Sequence, residues 1–150
     1  MSELKDKIRA DLKEAMKAKE KERTGTIRML LAAIQTAETE GTKHEVDDAE
    51  IQKIIAREIK KRRESAEIYQ SNGREDLASQ ELTEAEILEG HQPTQLTDEE
   101  LASLVDATVA DLNASSMAQM GAVMKEVTTR AEGRADGKRL SAAVKARLGQ

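Results

Sequence analysis

The side chains able to do covalent or acid–base chemistry are few in this chain and poorly placed for it. His44 and His91 are the only imidazoles among 150 residues. Neither has a second His or a Cys at ligand spacing, so neither metal binding nor His-based catalysis is expected. Cysteine is absent, which removes disulfides, thiolate metal sites and a thiol nucleophile. The serines lack a Gly-x-Ser-x-Gly elbow. Carboxylates are abundant, yet they fall at helix starts and on charged helix faces, where helices favour them. The residues themselves therefore point to no catalytic group, no metal and no cofactor.

Cationic chemistry is better represented. The formal net charge is −5, but the residues from Lys125 onward hold 7 Lys/Arg against 3 Asp/Glu, a balance of +4 that leaves −9 for the first 124. An anionic partner is thus sought at the C-terminal end. There Gly133-Arg134-Ala135-Asp136-Gly137-Lys138 joins two helical stretches. Glycines at 133 and 137 permit positive φ and close backbone approach, and Asp136 stands where it would cap the following helix. Two readings fit this spacing. The exposed amides at that helix start, with Arg134, Lys138 and Arg139 around them, form a seat for phosphate, or the segment is a tight interhelical turn with solvated charges. A Walker loop is excluded, because Gly-x-x-x-x-Gly-Lys-Ser/Thr is absent.

A second cationic group, Lys53, Arg57, Lys60, Lys61, Arg62 and Arg63, occurs in the middle of the chain. It reads either as a ridge facing RNA or as a solvated face with i to i+4 ion pairs. Met117, Met120 and Met124 fit an adaptable partner groove or, more ordinarily, core filling. Tyr69 is the only aromatic residue, so base stacking is not available on any scale. RNA binding by this chain would have to work through backbone charge and shape.

These residues must be positioned by helices. Apolar residues make up 38% of the chain, aromatic 1% and charged 35%, a composition suited to thin bundles of Leu, Ile, Val, Met and Ala in which most residues keep one side in water. Leu4, Ile8, Leu12 and Met16 recur at helical spacing behind Ser2. Ile27, Leu30, Leu31 and Ile34 mark a second helix ending near Gly41, with the turn between them placed in the polar stretch from Lys17 to Thr26. Asp47 with Glu50 opens a third, carrying Ile51, Ile54, Ile55, Ile59, Ala66 and Tyr69 and closing at Asn72-Gly73. Leu77, Leu82, Ile87 and Leu88 define a looser fourth, ending at Gly90. The single proline, Pro93, precedes a capping box at Thr97-Asp98-Glu99-Glu100, and the lobe boundary is placed there. Helices through Leu101–Leu112, Met117–Val127 and Leu140–Leu148 follow. No segment alternates at period two. The expected fold is all-α in two lobes, residues 1–92 as an antiparallel helical bundle and 93–150 as a small three-helix domain.

The N-terminal residues lack the apolar core of a signal peptide, and the longest apolar run, Met29 to Ile34, is too short to span a bilayer. On that basis a cytoplasmic protein with no membrane association is expected.

Several motifs, taken together and in order, resemble the YqeY family. They are Met16-Lys17-Ala18-Lys19 through Arg28-Met29-Leu30, Gly73-Arg74-Glu75-Asp76-Leu77, the junction from Pro93 to Leu101, and Met120-Gly121-Ala122-Val123-Met124-Lys125 with Gly133-Arg134-Ala135-Asp136-Gly137-Lys138. The C-terminal lobe is also similar to the tail domain of the glutamyl/aspartyl-tRNA amidotransferase. The chain departs from the family at His91-Gln92, where an aromatic residue and then Leu usually precede the junction proline. The resemblance implies two all-α lobes and a role beside tRNA, since the amidotransferase tail is thought to contact tRNA while a separate domain performs the amidation. Family members are often labelled carbon–nitrogen ligases with glutamine as amido donor, but no ATP site, ammonia source or nucleophile is found in these residues. The leading expectation is a noncatalytic accessory protein that binds tRNA, or an amidotransferase-like or other translation-related partner, with Lys125, Arg134, Lys138 and Arg139 as anion contacts and Gly133, Asp136 and Gly137 setting the loop. A helical protein–protein adaptor without RNA binding, and a component of a glutamine-dependent carbon–nitrogen ligase, are the alternatives.

Overall fold

The computed structural model describes residues 2–149, and all regular structure in them is helical. The order is α1 (Glu3–Lys17), α2 (Lys21–Thr39), α3 (Asp48–Ser71), α4 (Glu75–Glu89), α5 (Asp98–Leu112), a 3-10 turn (Met117–Gln119), α6 (Met120–Ala131) and α7 (Gly137–Leu148). Among the described residues no helix is long and apolar enough to cross a membrane. Two compact units divide the chain after Gln92.

In the first unit α1 packs on α2, α3 packs along α4, and α2 lies against both α3 and α4. Ile8, Ile27, Leu30, Ile34, Ile51, Ile55 and Leu88 are fully buried at the centre. Each such side chain taken from water contributes roughly 1.5–3 kcal/mol, which aliphatic residues supply here without aromatic rings. Caps define the helix starts. The Ser2 hydroxyl accepts from the Lys5 amide at 3.0 Å, and Asp47 accepts from the Glu50 amide at 2.8 Å. α3 ends at Asn72, followed by Gly73 at φ +73°, a left-handed position that glycine adopts without Cβ strain.

The turn between α1 and α2 lies earlier and is tighter than Lys17 to Thr26. It occupies Ala18 to Glu20, with Lys19 at φ +58°, and Gly25 is carried inside α2. The reason is packing. Thr26, Ile27 and Leu30 are buried, so the segment around Gly25 gains more from extending the helix than the glycine costs.

In the second unit α5, α6 and α7 pack mutually around Val105, Val123, Val127 and Val144. Thr97 and Glu100 form a complete capping box, the Thr97 hydroxyl accepting at 3.1 Å from the Glu100 amide and the Glu100 carboxylate accepting at 3.0 Å from the Thr97 amide. Met120 and Met124 lie partly buried against this core, whereas Met117 is exposed. The methionines therefore divide between filling and surface instead of forming one groove.

Candidate functional site

The loop from Gly133 to Lys138 owes its shape to two successive left-handed residues. α6 stops at Ala131. Glu132 then takes φ +50° and Gly133 φ +76°, reversing the chain, and the Arg134 amide donates to the Ala131 carbonyl at 2.9 Å. Asp136 starts α7, its carboxylate accepting from the Arg139 amide at 2.8 Å. Of the two glycines only Gly133 needs to be one. Gly137 is the first residue of α7, has no left-handed φ, and a Cβ built there meets nothing within 4 Å.

The four expected anion contacts separate by residue type. Arg134 donates from Nε to the Thr94 carbonyl at 2.8 Å and sets Nη2 3.9 Å from Glu100. Arg139 donates from Nη2 to the Leu96 carbonyl at 2.8 Å and to Asp98 at 3.0 Å. The Leu96 amide in turn donates to the Arg134 carbonyl at 2.8 Å. Both guanidinium groups are thus committed to buckling residues 94–97 and the first residue of α5 onto the loop and the start of α7. Lys125 and Lys138 are exposed and make no ion pair among the described residues. Lys125 stands on the solvent side of α6, outside the buckle.

The same division runs through the whole unit, and sequence reasoning missed it. Arg130 pairs with Asp111 at 2.8 Å and Glu126 at 3.0 Å, and Arg147 pairs with Asp106 at 2.9 Å. Hydrogen bonding to Asp111 first and Glu126 second raises Arg130 above the usual guanidinium pKa. Asp98, Glu100, Asp106 and Asp111 all belong to α5, so the C-terminal cations of α6, α7 and their loop face an acidic helix across the core. Residues 93–150 hold 7 Lys/Arg and 8 Asp/Glu, a net charge of −1. The +4 balance after Lys125 is thereby largely consumed by internal pairs. No spacing within α5 announces this, because the pairing depends on how three helices pack.

Lys145 also escaped notice, although its signal was present. It follows Lys138 by seven residues, two helical turns, so both stand on the same face of α7, about 10 Å apart along the axis. That face lies opposite the buried Leu140 and Val144. Between α5 and α6, an open groove is lined by the apolar Leu96, Leu104 and Ala131 together with Glu99, Glu100, Arg130 and Arg134.

The histidines are held locally. His44 lies 2.9 Å from the Thr42 carbonyl and 3.0 Å from Glu50, and these two contacts, in that order, raise its pKa. His91 is buried, with Nδ1 3.1 Å from the Ile87 carbonyl. Its Nε2 lies 3.0 Å from the Asp11 carboxylate but does not meet the geometry of a hydrogen bond. Among the described residues no group of three or more His, Cys, Asp or Glu is placed to hold a metal ion.

Comparison with known proteins adds a family and a correction. The model of the YqeY family, described as Yqey-like protein, matches residues 5–148. Curated relatives include the altered inheritance of mitochondria protein 41, mitochondrial, of Eremothecium gossypii, 32% identical over 110 residues, which are 72% of this chain and 60% of that protein. The protein of the same name in Kluyveromyces lactis is 35% identical over 85 residues, 57% of this chain and 46% of that protein. That of Pyrenophora tritici-repentis is 31% identical over 132 residues, 86% of this chain and 71% of that protein. The chain thus spans only about half to three fifths of the length of the first two. The cytoplasmic assignment expected from the polar first residues does not stand, because these relatives are named as mitochondrial proteins. A polar start and the absence of a long apolar run do not by themselves decide a compartment.

Proposed function

The chain belongs to the YqeY family, and from that premise we propose that it is a noncatalytic accessory protein that binds tRNA through the lysines of its last two helices. The observation that carries this reading is the separation of Lys from Arg in residues 93–150. The arginines are spent on the Thr94 and Leu96 carbonyls and on carboxylates, chiefly those of α5. Lys125, Lys138 and Lys145 remain exposed on faces turned away from the core. Lysine is a flexible point charge suited to phosphate oxygens without demanding a fixed approach, whereas the planar guanidinium suits the bidentate and backbone contacts it makes here. With one tyrosine and no other aromatic residue, stacking contributes little, and binding rests on phosphate contacts.

Titration of tRNA at several salt concentrations tests this. Three phosphate contacts predict a log–log slope of about −2 to −3. Lys138→Gln and Lys145→Gln are each expected to reduce the slope by about 1. Arg139→Gln is expected to lower the melting temperature, because it opens the buckle at Leu96 and Asp98. A slope unchanged in both lysine variants rejects the assignment.

The groove lined by Glu99, Glu100, Arg130 and Arg134 favours a second reading, a helical adaptor that docks a protein segment with an apolar ridge and charges of both signs. Retention of a stoichiometric partner through RNase treatment, with loss on Leu104→Glu, distinguishes it from RNA binding.

A further inference from the structure

We propose that α3 carries a separate binding surface for the phosphodiester backbone of a nucleic-acid strand, formed by Lys53, Arg57, Lys60 and Lys61. At 3.6 residues per turn these positions, with Glu64, fall in one sector of about 100°. That sector is centred opposite the face that buries Ile51, Ile55, Ile59 and Arg62. All four cations are exposed, Lys60 and Lys61 with 78% and 70% of their side chains in solvent. Their neutralisation is poor. Among the described residues Lys53 and Arg57 have no ion pair. Lys60 reaches Glu64 only at 4.0 Å, and Lys61 reaches Glu58 at 3.7 Å while that carboxylate sits 2.9 Å from Arg62.

The stripe therefore carries close to three unbalanced positive charges in a unit whose net charge is −4, from 17 Lys/Arg and 21 Asp/Glu in residues 1–92. Like charges three and four apart on a helix repel by a few tenths of a kcal/mol per pair, so this arrangement gives the folded chain no local benefit. Successive cations are spaced by about 6 Å along the axis from Lys53 to Arg57 and from Arg57 to Lys61. Such a linear series matches a strand of regularly spaced phosphates better than a compact anion, which one or two of these side chains would satisfy. Arg57, at the centre and without an ion pair among the described residues, is available for a bidentate phosphate contact.

The experiment uses the full-length chain, an oligouridine of about twelve nucleotides and polyglutamate of similar charge, with salt varied from about 20 to about 200 mM. Replacing Lys53, Arg57 and Lys60 together by Gln is expected to weaken oligouridine binding at least about tenfold at low salt and to flatten the salt slope by about 2. On the labelled wild-type protein, amide shifts on adding oligouridine are expected across residues 53–61, a readout independent of the variant's folding. Lys138→Gln with Lys145→Gln is expected to leave those α3 shifts in place, so failure of the C-terminal reading and failure of this one are distinguishable. The proposal is overturned if oligouridine does not bind at the lowest salt, if the α3 shifts are absent, or if the triple variant binds as the wild type does. Equal binding of polyglutamate overturns it as well, since the surface would then serve an acidic protein segment.

Discussion

Arg62 places its guanidinium in the interior of the first unit with 5% of the side chain exposed. Nη1 donates to the Glu58 carboxylate at 2.9 Å and to the Glu58 carbonyl at 3.2 Å, Nε donates to Glu84 at 3.2 Å, and Nη2 lies 3.7 Å from the Met29 sulfur. One side chain thus ties α2, α3 and α4. Removing it strands two largely buried carboxylates, and Glu81, already raised in pKa by burial and then by Glu84, would feel a stronger repulsion. Arg62→Ala is expected to cost about 3 kcal/mol, measured by urea unfolding, and Glu84→Leu in that background should recover part of the loss. Sequence alone grouped Arg62 with its exposed neighbours. Only the angular position of residue 62, beside Ile55, Ile59 and Ala66, separates a buried tie from a solvated ridge.

Helices were legible wherever a cap and an apolar stripe agreed. Ser2, Asp47, Thr97 and Asp136 each accept from the backbone amide three residues on, as their types and positions imply. The turn between α1 and α2 was legible only as the polar stretch from Lys17 to Thr26, because nothing in that stretch singles out Lys19, which carries the left-handed turn, from the residues that extend α2. Gly25 is exposed within α2, and a Cβ there meets nothing within 4 Å. Gly25→Ala is therefore expected to stabilise the chain by about 1 kcal/mol, seen as a raised urea midpoint with an unchanged m-value. A neutral or destabilising result would overturn this expectation.

At the scale of the molecule, each unit has its own aliphatic core. Residues 93–150 add a ring of arginine ties, Arg130 to Asp111, Arg139 to Asp98 and Arg147 to Asp106. A fragment of residues 93–150 is expected to fold alone with cooperative thermal unfolding by circular dichroism. Its stability should be modest, about 3–5 kcal/mol, as is usual for a core of this size. A non-cooperative melt would show that it depends on the rest of the chain. Composition, periodicity and capping residues determined by themselves that this protein is helical, because each of those signals acts within a few turns. Which cations face outward was decided only by tertiary structure. Ion pairs join residues such as Arg147 and Asp106, 41 positions apart, and the charge a lobe presents to a partner is what remains after helices meet across the core.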